Sequence, residues 1–237
     1  GTGSTSSRPV WPEEGGRYVD ERQHVVTLTK AFYMQTTEVT QGQWMQVMTG
    51  PNPSNFSSYG SDCPVEMVSW EDAQNFIDAL NAKENRTNCN TTPNTCYTLP
   101  TESQWEYAAR AGTVSAFYNG DITNTDYDCD ADPNLDKIGW YCGNAGSTTH
   151  PVAQKQPNSW GLYDMSGNVW EWCNDWYDVY PDDPVVDPPG GTGSSRVFRG
   201  GGWISYARYA RSAYRYGSTP GFRRSYLGFR LALPPGQ

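Results

Sequence analysis

Leu99-Pro100-Thr101-Glu102-Ser103-Gln104-Trp105-Glu106-Tyr107-Ala108-Ala109-Arg110 holds a threonine and a glutamine three residues apart, directly after a proline and just ahead of Gly112. A threonine hydroxyl can accept the third residue's backbone N–H while the glutamine reaches back to the threonine N–H, so the stretch predicts a capped helix. Trp105, Ala108 and Ala109 fall on one face of it. Working outward, a second helix is predicted after Ser69, with Ala73, Phe76, Ile77 and Leu80 as its apolar stripe. A third follows Thr40, carries Trp44, Val47 and Met48 at helical spacing, and stops at Gly50. Short strands are expected at 25–28, 65–68, 196–198 and 228–231, with strands from the two ends of the domain pairing. The reading is an α+β domain with few helices, short antiparallel strands and much ordered loop.

Composition agrees with that economy of elements. The 237 residues include 24 Gly and 17 Pro, and aromatic residues make up 14%. Many loops pinned by aromatic anchors are therefore expected. The net charge is −9 and the isoelectric point about 4.7, which argues against nucleic acid as a partner, because phosphate binding needs basic residues in excess. Only His24 and His150 are present, far apart, so histidine metal sites and histidine-relayed nucleophiles start from a poor position. No run of about 18 apolar residues exists. Residues 1–19 read as a tail and linker before one domain at 20–237, with any signal or lipid anchor already removed.

Six cysteines allow 15 pairings. Cys89 and Cys96 flank one polar loop and Cys129 and Cys142 frame another, leaving Cys63 and Cys173 as a conceivable third pair or as buried thiols. An oxidising, extracytoplasmic setting, and display at a cell surface, are the expectation.

Seven motifs occur in order. They are Phe32-Tyr33-Met34; Thr37-Glu38-Val39-Thr40; Pro64-Val65 with Val68-Ser69-Trp70-Glu71-Asp72-Ala73; Leu99 to Arg110 as quoted; Gly161-Leu162-Tyr163-Asp164-Met165 with Gly167-Asn168-Val169-Trp170-Glu171-Trp172; Arg199-Gly200-Gly201; and Gly228-Phe229-Arg230. Over roughly 20–233 the chain resembles the formylglycine-generating enzyme (sulfatase-modifying factor) family. The resemblance implies a C-type-lectin-like fold. Enzymes of that family place two copper-binding cysteines, five residues apart, after the Arg-Gly-Gly motif. Ser205 and Ala210 stand at those positions here. A hydroxyl is a poor ligand for soft Cu(I) and a methyl is none, so formylglycine generation is not expected. The family's iron-dependent sulfoxide synthases need a histidine-rich domain that is not in this sequence.

The segment 196–233 carries Arg196, Arg199, Arg208, Arg211, Arg215, Arg223, Arg224 and Arg230 with no Asp, Glu or Lys, leaving nine basic against 26 acidic residues elsewhere. Internal ion pairs are expected for Arg211, Arg215, Arg223 and Arg230. Between the arginines lie Tyr206, Tyr209, Tyr214, Tyr216, Phe222 and Tyr226 with several Ser and Gly, the composition of an antibody paratope. That pattern fits neither an amphipathic helix nor an alternating strand. Asparagine occurs 15 times before residue 196 and never after it.

The frame around these residues resembles the C-terminal region of variable proteins diversified by diversity-generating retroelements, in which template adenines, and so asparagine codons, are rewritten. The resemblance implies a non-catalytic ligand-binding face within about 199–230. Its variable positions would be Ile204, Ser205, Tyr206, Tyr209, Tyr214, Tyr216, Gly217, Ser218, Thr219, Gly221, Phe222, Arg224, Ser225 and Tyr226, facing solvent, with Trp203 and the glycines as the floor. The ligand would be a protein or another surface macromolecule, met by a monomer without a required cofactor. Two other readings compete: an altered enzyme in which Ser205, Tyr206 and Arg208 face a small substrate, and a sugar-binding lectin. The Glu-Pro-Asn and Gln-Pro-Asp sugar signatures are absent from the sequence. Related domains bind calcium through the Gly167–Trp172 motif, which makes Asn168, Val169 and Glu171 candidate ligands of a structural calcium ion; the competing reading packs both tryptophans in the core. The Asp126, Asp128, Asp130, Asp132 and Asp136 series reads as a solvated acidic loop.

Overall fold

A computed structural model describes residues 17–86, 89, 95–188 and 190–234. All three helix starts form as capping boxes: Thr40 with Gln43 for α1 (Gln41–Val47), Ser69 with Asp72 for α2 (Trp70–Lys83), and Thr101 with Gln104 for α3 (Glu102–Arg110). Ala111 takes a left-handed φ of 45° and ends α3 one residue before Gly112. A one-turn helix, α4 (Leu135–Ile138), was not expected.

Among the described residues, eight short strands make three sheets. β1 (Val26–Thr27) runs parallel to β4 (Val185–Val186). β2 (Tyr33–Met34) is antiparallel to β8 (Ala232–Leu233), which joins the two ends of the domain. The third sheet has the order β6-β5-β3-β7, from β6 (Arg215–Ser218), β5 (Arg196–Arg199), β3 (Trp170–Trp176) and β7 (Leu227–Gly228). It is mixed, because β3 and β7 run parallel.

Three strand expectations are corrected. Residues 65–68 form no strand, since Met67 turns left-handed at φ 60°. Of the expected 228–231 strand only Gly228 is in a strand, at the end of β7, and residues 229–231 connect β7 to β8. The segment read as neither helix nor strand contains β6, which pairs with β5 from Arg196↔Ser218 to Arg199↔Arg215.

The main core gathers α1, α2 and the four-stranded sheet around Trp44, Phe76, Trp170, Trp172, Phe198 and Phe229. Trp172 meets Phe198 edge to face at 5.1 Å and Trp44 stacks on Phe76 at 5.4 Å. Trp105 of α3 anchors a second cluster with Met165, Cys173 and Val197. Cys89–Cys96 and Cys129–Cys142 are disulfide-bonded, while Cys63 and Cys173 are separate buried thiols, so the third conceivable pair does not form. The four arginines expected in ion pairs are found there: Arg211 with Glu21, Arg215 with Glu102, Arg223 with Asp72 and Arg230 with Glu171, each at 2.6 Å.

Candidate functional site

The chain leaves β5 through Gly200 and Gly201, at φ 95° and 74°. A Cβ on Gly201 would lie 3.0 Å from the Ala210 backbone, so the turn needs both the dihedral freedom and the missing side chain of glycine. Trp203 then seats itself: its N–H donates to Asn168 O (2.8 Å), its indole Nε1 donates to Ser225 O (2.8 Å), and its ring meets Phe56 edge to face at 5.5 Å.

From there to β7 the segment is held largely by its own main chain. Cys142 N donates to Ser205 O, Trp70 N to Pro220 O and Met67 N to Arg224 O, each at 3.0 Å, and Trp170 N donates to Tyr226 O at 2.8 Å. The β5 ladder holds 215–218.

On this backbone Ile204 and Tyr216 are 50% and 54% exposed, and Thr219, Gly221 and Arg224 are exposed as well. Tyr206, Tyr209, Gly217, Ser218, Phe222, Ser225 and Tyr226 are half-buried. Ser205 and Tyr214 do not face solvent, which corrects the expectation for these two. Ser205 Oγ accepts from Trp170 Nε1 and Gly202 N, both at 3.0 Å. Tyr214 packs against the Trp170 ring at 5.8 Å and Tyr209 at 4.8 Å. Ser205 is therefore also unavailable to a small substrate as the enzyme reading placed it, and Ala210 is fully buried against the glycine turn.

Two residues missed by the sequence reading join the site. Tyr127 meets Tyr206 and Tyr209 at 6.3 and 6.4 Å, and its hydroxyl shares a 2.7 Å hydrogen bond with that of Tyr18, whose ring lies 5.5 Å from Tyr214. The Arg208 guanidinium covers both rings, 3.9 Å from Tyr127 and 4.9 Å from Tyr18. Burial pushes the phenol pKa of Tyr18 and Tyr214 up, which keeps both as neutral hydroxyls. No local signal could have found this pair, because 109 residues separate Tyr18 from Tyr127.

Two of the three candidate calcium ligands, Glu171 and Asn168, are already engaged. Glu171 spends its oxygens on Arg230 and on Trp105 Nε1, and Asn168 Oδ1 accepts from His150 N at 3.0 Å. A calcium ion there would have to displace these partners, so the residues present do not fit it. Among the described residues no group of three or more His, Cys, Asp or Glu could hold a metal ion. Trp172 is fully buried and Trp170 nearly so, as the core reading of that motif has it. Glu38, buried beside them, has its carboxyl pushed well above the ordinary range by burial and then by Asp164 and Glu171.

A family model described as the sulfatase-modifying factor enzyme 1-like domain matches residues 3–234. The chain is 35% identical over 230 residues to the chaperone protein LppX of Paenibacillus barcinonensis, covering 80% of this chain and 75% of that one. It is 36% identical over 190 residues to the formylglycine-generating enzyme of Streptomyces coelicolor, covering 71% of this chain and only 52% of the enzyme. Among solved structures, Treponema denticola variable protein 1 superposes with a TM-score of 0.76 at 36% identity, over 90% of this chain and 87% of that one. The α+β, C-type-lectin-like expectation for the fold holds.

Proposed function

The chain belongs to the sulfatase-modifying factor enzyme 1-like family, and within that family we propose that it is a non-catalytic display protein that binds ligands through the face at about 204–226. The observation that carries this reading is the division of labour along that segment. Its backbone is fastened to the frame by main-chain hydrogen bonds, while Ile204, Tyr216, Thr219, Gly221 and Arg224 turn outward. Substitutions at exposed positions of that kind change stability little, whereas they change what the surface recognises. The likeness to a solved variable protein supports diversification of the same segment by a retroelement. Ser205 and Ala210, standing where the family's enzymes carry copper-binding cysteines, support the absence of turnover. Two disulfides, one with exposed Cys129, favour an extracytoplasmic location at a cell surface.

The test is deep sequencing of the 3′ end of the gene and its flanking DNA in many clonal descendants. Substitutions confined to the exposed and half-buried positions named above, matched to adenines in a nearby near-copy, are expected. An invariant segment without such a copy overturns diversification, and metal content and oxidase turnover then become the measurements to make.

A further inference from the structure

Taking 204–226 as the binding face, we propose that the loop 123–132 is its second wall. Tyr127, backed by Tyr18, is then a fixed contact for a protein partner that presents cationic side chains to that wall. Tyr127 is 58% exposed yet held in place by four neighbours: the rings of Tyr206 and Tyr209, the hydroxyl of Tyr18 and the guanidinium of Arg208. Arg208 also donates to Thr125 O at 3.0 Å, tying the loop to the C-terminal segment a second time.

Behind Tyr127 the loop is built around a buried carboxylate. Asp132 Oδ2 accepts from Thr123 N (2.7 Å) and Asn124 N (3.0 Å), and its Oδ1 accepts from Leu135 N (3.0 Å). The Cys129–Cys142 disulfide then joins the loop to the residue whose N–H bonds Ser205 O. Loop and C-terminal segment are thus fastened by a cation–π contact and a hydrogen bond from Arg208, and indirectly through Cys142, which is bonded covalently to the loop and by its N–H to Ser205 O. An exposed tyrosine whose orientation is already set loses little entropy on binding, which is what a contact residue needs.

The partner's class follows from shape and charge. Grooves of about 300, 590 and 490 Å³ occur on the molecule, and none of the proposed variable positions lines them. A small molecule needs a concave site to bury most of its surface, whereas a broad tyrosine-rich face suits another protein. Asp126 and Asp130 are exposed on the same loop as Tyr127. Outside 196–233 the chain carries 26 acidic residues against nine basic, so the complementary partner is cationic on the side facing this loop.

The experiment selects binders from a naive library of displayed small protein domains against the immobilised chain. Their affinities are then measured for Tyr216→Ala, Tyr127→Ala, Tyr127→Phe and Asp126→Asn/Asp130→Asn at low and high salt. Clones that need Tyr216 are expected to weaken about tenfold or more with Tyr127→Ala, to tolerate Tyr127→Phe, and to weaken with the double Asn variant and with salt. Clones that need Tyr216 but ignore Tyr127→Ala overturn the second wall and leave the binding face standing. Dependence on Tyr127 without any response to the Asn pair or to salt overturns the cationic partner. A selection that returns only clones indifferent to Tyr216 and Tyr127 alike overturns the binding-face reading itself.

Discussion

The Arg230 guanidinium reaches both oxygens of Glu171 at 2.6 Å, and neither side chain has more than 1% of its surface in contact with solvent. Trp105 Nε1 donates to the same carboxylate at 2.7 Å, and Arg230 also donates to Tyr163 O at 2.9 Å. The pair ties the last strands to β3 and α3. Arg230→Met leaves a buried carboxylate without its cation, and the expected loss is about 3 to 5 kcal/mol of unfolding free energy in urea titrations. A loss under about 1 kcal/mol would show that the pair does not carry this weight.

Ser205→Ala removes the acceptor of two buried N–H groups, so it is expected to cost about 1 to 3 kcal/mol. Tyr216→Ala and Ile204→Ala remove side chains that are about half in solvent, and each is expected to stay within roughly 0.5 to 1 kcal/mol of the parent. Denaturant midpoints of the three variants side by side separate frame from surface.

Burial raises Glu66 to about 7, and burial with the nearby Glu102 charge raises Asp175 to about 7. An acid that binds its proton more tightly when folded loses stability as pH rises from its unfolded pKa to its folded one. Both residues therefore predict falling stability from about pH 4 to about pH 7. Asp72 and Glu106 act in the opposite sense. Burial works against them, yet Arg223 with Ser69, and Arg199 with Arg110, hold their carboxyls below the ordinary range, so their contribution is lost on acidification below about pH 4. Urea midpoints measured from pH 3 to pH 8 are expected to peak near the acidic end of the range, and Glu66→Gln is expected to flatten the decline above the peak.

The Cys129–Cys142 bridge spans 13 residues, so Cys129→Ser/Cys142→Ser is expected to cost up to about 3 kcal/mol and to speed amide exchange across 121–134. Thiol counting on the denatured, unreduced protein should find two free cysteines. Mass mapping should assign them to Cys63 and Cys173. Any other count contradicts the pairing.

Local chemistry was the legible part of this sequence. A capping box is contained within four residues, and the start of α3 followed from one, while those of α1 and α2 followed from an N-cap threonine and from apolar periodicity. The motif order carried the fold, and the acid-free arginine segment foretold the internal pairs of Arg211, Arg215, Arg223 and Arg230. β3 was not read as a strand because four of its seven residues, Trp170, Glu171, Trp172 and Cys173, are buried in succession, which erases the alternation that betrays a half-exposed strand. β6 escaped for another reason: Arg215 is buried beside Glu102 while Tyr216 is exposed, so polarity runs opposite to burial there. Ser205 was misplaced because its partners, Trp170 and Gly202, become visible only once β3 and the glycine turn are in place.

The main-chain bonds from Trp70, Met67, Cys142 and Trp170 to the C-terminal segment are indifferent to the side chains that segment carries. Peptide carbonyls are the same in every residue, so folding becomes nearly independent of the outward side chains here, and under the proposed function recognition is a separate problem. A lineage could rewrite one without solving the other again. The number of usable faces would then grow with the product of the choices at each outward position, while the population keeps a single fold in common.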